Sequence, residues 1–117
     1  MPGVDVGLVF SALADPTRRE VVRSLAVRPG LTASHLAGEL PITRQAVTKH
    51  LDRLHQAGLI RIRRNGRERL HEVDPMPLQA VDYWLEPYAR AWDDRLAALQ
   101  RHLDQDDQRN PAKEDHG

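Results

Sequence analysis

Apolar residues recur along the first half of the chain with helical spacing, and proline, glycine and capping residues divide them into short segments. Asp15-Pro16 is an N-cap followed by a first helical position, and Thr32 and Thr43 cap two later segments. With an apolar run before Asp15, the pattern predicts four short helices. The fourth begins after Thr43 and ends at Gly58, a residue suited to a helix C-terminus.

Residues 59–73 change to the alternation of a β-hairpin. Isoleucines alternate with arginines, and Asn65-Gly66 provides the turn. A two-residue loop over this dipeptide would set Leu70 opposite Arg61, whereas a three-residue loop sets it opposite Ile62 on the apolar face. We therefore predict the longer loop.

The C-terminal part carries a long helical stripe. Asp74-Pro75 repeats the cap-then-proline signal, and apolar residues then recur every three or four positions on one side of a helix that Pro87 should kink or divide. A domain of this size cannot cover all these side chains itself, so a second copy of the chain should bury them. The predicted dimer interface consists of Trp84, Leu85, Tyr88, Trp92, Leu96, Leu99 and Leu103.

The third and fourth predicted helices are joined by a tight turn, and the exposed face of the fourth is polar. This arrangement is typical of a helix-turn-helix whose second helix enters a major groove, and a hairpin after it is a wing. The predicted fold is mainly α with a small β-hairpin: a single winged helix-turn-helix domain over residues 1–105. The wing spans about 59–73 and the dimerisation helices about 75–105, and the acidic residues 106–117 form a disordered tail.

The charges of the chain are segregated although they cancel overall. Residues 1–43 hold four basic and four acidic side chains, residues 44–69 eight and two, and residues 70–117 five and eleven. A basic block inside a neutral protein indicates a surface that meets a polyanion. The predicted DNA contacts are Thr43, Arg44, Gln45, Thr48, Lys49 and His50 in the fourth helix, and Arg63, Arg64, Arg67 and Arg69 in the wing.

These side chains suit different tasks. Gln45 can pair with adenine and Arg44 with guanine, and Thr48 can reach a thymine methyl, a base edge or a phosphate, as can Lys49. Arginines at a wing tip supply affinity with little base reading. Simpler interpretations are a solvated face, a charged strand edge and a Thr43 that only caps its helix.

Composition excludes several functions. The chain has no cysteine, so disulfides, thiolate nucleophiles and cysteine-based metal sites are absent, and cytoplasmic residence is expected. The six histidines are scattered, without a helical pair beside a carboxylate, so we predict no metal and no cofactor. With no glycine-rich phosphate loop and no serine beside a plausible base, we expect no enzyme. No window approaches the roughly 18 apolar residues of a membrane span.

Three separated motifs resemble the ArsR family of winged-helix repressors, over about residues 8–103. They are Leu13-Ala14-Asp15-Pro16-Thr17-Arg18-Arg19, Leu36-Ala37 through Ile42-Thr43-Arg44-Gln45-Ala46-Val47-Thr48-Lys49-His50-Leu51, and Ala57-Gly58-Leu59-Ile60. The ending around Pro87 and Trp92 is similar to a branch without metal motifs. The third helix lacks the paired cysteines of metal sensors, and the last helix offers only His102.

The resemblance implies a homodimer that represses promoters and releases DNA when an effector binds. We accordingly predict a sequence-specific, homodimeric repressor that binds an imperfect palindromic operator and responds to an unknown small-molecule effector. The alternative is a winged-helix module that binds protein instead of DNA. The excess of six positive charges over residues 44–69 argues against that alternative.

Overall fold

The computed structural model describes residues 3–109, which form five α-helices and one antiparallel hairpin. The elements are α1 (Val6–Leu13), α2 (Pro16–Val27), α3 (Ala33–Glu39), α4 (Arg44–Gln56), β1 (Ile60–Asn65), β2 (Glu68–Val73) and α5 (Pro75–Arg109). This is the predicted winged helix-turn-helix architecture, with β1, β2 and their turn as the wing. The chain divides into two compact units, of which the first ends at Asp82 and the second begins at Tyr83.

The helices start at the capping residues that the sequence predicts. The side chains of Asp15, Thr32 and Thr43 each accept a hydrogen bond from the backbone N–H three residues further on, at 3.0, 3.1 and 3.1 Å. Each bond satisfies one of the N–H groups that a helix start leaves unpaired. The bond from the Arg18 N–H also holds the pKa of the Asp15 carboxyl below its ordinary value.

The core of the first unit lies where the first four helices meet the base of the wing. Val47, Leu51 and Leu54 of α4 are buried in it, as the helical stripe predicts. Each such side chain contributes about 1.5–3 kcal/mol on burial. The polar face of α4 is therefore turned to solvent. The largest fully buried side chains are Leu25, Leu36, Leu54, Leu59, Val9, Val21 and Val47.

The register of the hairpin differs from our prediction. Asn65 pairs with Glu68, so the loop contains two residues and not three, and Ile62 lies opposite His71 instead of Leu70. Gly66 has a φ of +64° at the first position of this loop, as in a type II′ turn. Asn65 stays in β1, and the turn lies one residue later than the Asn-Gly dipeptide indicates.

The C-terminal region is not divided at Pro87, and its helix extends into the tail that we predicted from residue 106. It is one 35-residue helix with Pro87 inside it, and it continues to Arg109. Two side-chain contacts between residues four apart support its last turns: Gln100 Nε2 donates to Asp104 at 3.2 Å, and His102 lies 3.6 Å from Asp106. The remainder of the predicted tail, residues 110–117, lies outside the described residues. Over the described range, no helix has the length and apolarity to cross a membrane.

Candidate nucleic-acid interface

The exposed face of α4 carries the residues that the sequence assigns to base recognition. Arg44, Gln45, Thr48 and Lys49 are exposed, and His50 is half-buried. All lie in the first two turns of the helix, at the end that follows the tight turn from α3. This end of a recognition helix is the part that contacts base edges in helix-turn-helix proteins.

An open cavity of about 520 Å³ lies between α4 and the wing, and we call it the groove. Arg44 and Thr48 line one side of it, and Arg67 and Arg69 line the other. Two of the predicted helix residues and two of the predicted wing residues therefore face one cavity. Its lining is completed by Thr32, Ala33, Ser34, His35, Leu51, Asp52, Ile62, Glu68 and His71.

Other predicted residues lie outside the groove. Lys49 and His50 line a second cavity of about 350 Å³, on the flank of α4 that approaches Arg18 of α2. Gln45 is exposed and lines neither cavity. The predicted DNA contacts of α4 therefore lie on both flanks of the helix and on the exposed face between them. This distribution is expected of a helix inserted into the major groove of DNA.

Two threonines of this region have hydrogen bonds within the protein. The Oγ1 of Thr43 accepts the capping bond described above, which supports its interpretation as a cap. The Oγ1 of Thr48 donates to the backbone carbonyl of Arg44 at 3.0 Å. Because its proton is used there, Thr48 offers a base its γ-methyl, and its Oγ1 as an acceptor only.

The hairpin register distributes the wing arginines over both faces. Side chains of paired residues share a face, so Arg64 and Arg69 lie together on the face of Ile62. Arg63 lies on the other face opposite Leu70, and Arg67 occupies the turn. Two arginines directly opposite each other repel, and this repulsion is relieved when an anion binds between or beside them.

The basic side chains before residue 44 are engaged within the protein. Arg18 and Arg23 form ion pairs with Asp15 and Glu20, at 4.0 and 3.4 Å. Arg19 donates to a backbone carbonyl at 2.7 Å. Arg28 donates to Glu39, which raises the pKa of the guanidinium and lowers the pKa of the carboxyl.

The basic block from 44 to 69 behaves differently. Within the described residues, Arg61 is its one member with an ion pair, to Glu72 at 4.0 Å. Asp52 and Glu68 also line the groove. Within the described residues, however, no carboxylate lies at ion-pair distance from an arginine of the groove. These cations are therefore available to an anion from outside.

Sequence reasoning missed Asp52, Glu68 and His71 as residues of the groove. Asp52 could have been found, because it follows Arg44 and Thr48 at spacings of four on one helix face. His71 depends on the hairpin register, and our prediction set Leu70 opposite Ile62 where the structure has His71. Among the described residues, no group of three or more histidines and carboxylates is arranged to hold a metal ion.

A helix-turn-helix followed by a basic hairpin defines the class of winged helix-turn-helix proteins, and comparison with known proteins agrees. Residues 13–63 match the family described as a helix-turn-helix domain. The chain is 38% identical over 95 residues to the HTH-type transcriptional regulator Rv2034 of Mycobacterium tuberculosis, covering 81% of this chain and 85% of that protein. It is 30% identical over 88 residues to the transcriptional repressor SdpR of Bacillus subtilis, covering 75% and 97%.

A solved structure extends this likeness to the fold of most of the chain. The ArsR-like transcriptional regulator from Rhodococcus sp. RHA1 superposes with a TM-score of 0.67 at 38% identity, covering 82% of this chain and 90% of that one. The chain belongs to the ArsR family of winged helix-turn-helix transcriptional regulators. It is a DNA-binding transcriptional regulator.

Proposed function

We propose that the protein is a cytoplasmic, homodimeric repressor that binds an imperfect palindromic operator through α4 and the wing and leaves it when an effector binds. The observation that carries the proposal is the groove: arginines on both of its sides lack ion-pair partners within the described residues. A DNA phosphate or the O6 and N7 atoms of guanine would supply the missing acceptors.

In this proposal α4 reads the sequence and the wing anchors the protein. Arg44 and Gln45 make bidentate contacts to guanine and adenine, and the methyl of Thr48 meets a thymine. Lys49 and His50, on the other flank of the helix, contact the backbone. The wing arginines bind phosphates beside the DNA major groove in which α4 lies. They contribute affinity with little base preference.

The second unit supports the homodimer. In the single chain, the seven predicted interface residues have side chains between 42% and 62% exposed. A continuous apolar stripe of this size is uncommon on a monomer and marks an interaction surface. A second copy, whose α5 presents the same stripe, buries both at once in a two-fold contact. Two recognition helices joined in this way bind half-sites about one helical turn apart.

Repression follows from occupation of a promoter, and the relationship to a protein named as a transcriptional repressor supports this mode of action. Release requires an effector that binds the free dimer more tightly than the DNA-bound dimer, because the coupling between two ligands is reciprocal. We propose an effector other than a metal ion, given the absence of cysteine from the chain.

Salt dependence of DNA binding tests the anchoring role of the wing. Arg67→Ala should weaken binding to all duplex sequences alike. It should also reduce the magnitude of the negative slope of log K against log salt by about one, the value for one lost phosphate contact. Arg23→Ala is the matched control, because it removes the same charge from α2, where Arg23 pairs with Glu20. Equal slopes for the wild type and Arg67→Ala would contradict the proposal.

A further inference from the structure

His71 is the one buried polar residue in the part of the chain that the structure describes, with 5% of its surface exposed. It lies in β2, and its Nδ1 is 3.0 Å from the backbone carbonyl oxygen of Leu31. A carbonyl oxygen only accepts hydrogen bonds, so this contact requires the proton on Nδ1. The ring is thus held in one orientation, with a proton on Nδ1.

The backbone of the same residue is bonded to the same loop. The N–H of His71 donates to the Leu31 carbonyl and its carbonyl accepts from the N–H of Gly30, both at 2.9 Å. Gly30 adopts a φ of +89°, which favours glycine, just before Leu31 forms an antiparallel bridge with His71. Three hydrogen bonds therefore join the wing to the loop between α2 and α3 at a single position.

This loop leads directly into the helix-turn-helix. Thr32, the residue after Leu31, is the N-cap of α3. On the wing side, Arg69 lies two residues from His71 on the same face, and both line the groove. Any change in the direction of the wing at His71 is magnified at the tip, where Arg67 lies. The bonds at His71 thus lie where the spacing between wing and α4 is set.

We propose that His71 is a positioning residue: its Nδ1–H bond to Leu31 fixes the wing at the distance from α4 at which Arg67 reaches a phosphate. This inference rests on the proposed function of the wing. His71 itself touches no DNA in this account. It acts through the arginines, so its removal should affect phosphate anchoring and leave base preference unchanged.

Two substitutions separate the hydrogen bond from the packing of the ring. His71→Asn retains a donor, because the asparagine amide nitrogen is the same number of bonds from Cα as Nδ1, whereas His71→Leu fills the space without a donor. With binding to one duplex followed against salt, His71→Asn should keep the wild-type slope. His71→Leu should reduce its magnitude by about one, the loss expected for one phosphate contact.

The double variants test the coupling. Arg67→Ala should reduce the magnitude of the slope by about one in the wild-type and His71→Asn backgrounds, and leave it almost unchanged in the His71→Leu background. A full effect of Arg67→Ala in all three backgrounds overturns the inference. If Arg67→Ala has no effect even in the wild type, the proposed anchoring by the wing is wrong, and the role of His71 falls with it.

A measurement on the unmodified protein keeps the test independent of variant folding. Nitrogen NMR of the imidazole rings distinguishes the two neutral tautomers. We expect the Nδ1 of His71 to carry a proton, both in the free protein and in the DNA complex. An Nε2–H tautomer would show that the ring does not donate to Leu31, and would overturn the inference.

Discussion

The side chain of Thr48 shows how one hydrogen bond decides what a residue can recognise. From the sequence, its hydroxyl and its methyl are both candidates for contact with DNA. In the structure the hydroxyl donates to the Arg44 carbonyl one turn earlier in α4, at 3.0 Å. Such back-bonding is common for threonine inside helices, and it uses the one proton that the hydroxyl could donate to a base.

Substitutions of Thr48 test this assignment. Thr48→Val keeps a methyl group in place and should retain the preference of the protein for its operator. Thr48→Ser keeps the hydroxyl and should lose about 1 kcal/mol, the free energy of burying one methyl group. The measurement is competition binding with operators in which single thymines are replaced by deoxyuridine, which lacks the methyl group.

The wild type and Thr48→Val should be sensitive to one such replacement in each half-site, and Thr48→Ser should be insensitive to it. If Thr48→Val loses the operator while Thr48→Ser keeps it, the hydroxyl is the reading group. The methyl assignment would then be wrong.

At the scale of elements, α5 is the least conventional part of the chain, because a proline lies inside a 35-residue helix. Pro87 has no N–H to donate to the carbonyl of Tyr83, and its ring crowds the preceding turn. The ion pair between Glu86 and Arg90 spans this position, and the rings of Trp84 and Tyr88 lie 5.0 Å apart across it. These contacts support the helix where its backbone bonding is interrupted.

Replacement of the proline should therefore stabilise the helix. Pro87→Ala restores one N–H and should raise the free energy of unfolding by up to about 3 kcal/mol. Ala91→Gly, one turn later, is the control and should lower it by about 1 kcal/mol. Urea unfolding at a fixed protein concentration checks both values. A free energy of unfolding that falls in Pro87→Ala would mean that α5 requires the bend or the ring.

The elements were predictable where the signal is local, and less so where it depends on pairing. Caps at Asp15, Thr32 and Thr43 place three helix starts, because each involves a side chain and an N–H three residues away. The hairpin was predicted, but its register was not, because we expected apolar Leu70 opposite Ile62, whereas the buried His71 occupies that position.

The same limit applies to the groove. That α4 would present Arg44 and Thr48 follows from helical periodicity. That Glu68 and His71 would join them required the three-dimensional placement of the wing against α4. The bond between His71 and Leu31 joins residues 40 positions apart, and neither position carries a local signal for it.

At the scale of the whole molecule, the segregation of charge corresponds to a segregation of tasks. The excess of basic residues lies in α4 and the wing, whereas the acidic excess lies from residue 70 onward, where the apolar stripe is also found. Local charge, and not the net charge of zero, determines the attraction to DNA. The acidic C-terminal part should be repelled by phosphates, which leaves α4 and the wing as the surface that meets DNA.

Charge placed in the stripe tests the homodimer. Leu99→Glu and Trp92→Glu introduce a carboxylate into the proposed interface and should yield monomers with much weaker operator binding, because a buried unpaired charge opposes association. Ala97→Glu adds the same charge to the side of α5 away from the stripe and should leave the dimer intact. Analytical ultracentrifugation measures the outcome. If Leu99→Glu and Trp92→Glu remain dimeric, the stripe is not the interface.

The central claim is that α4 reads the operator while the wing anchors the protein, and the most direct test is the DNA that the protein selects from random fragments. We predict that the wild type selects an imperfect palindrome. Gln45→Ala should lose preference at one base pair in each half-site, at a cost of about 1–3 kcal/mol. Arg64→Ala and Arg67→Ala should select the wild-type sequence with lower overall affinity. If Gln45→Ala selects the wild-type sequence and a wing variant selects a different one, the wing is the reader and the account is contradicted.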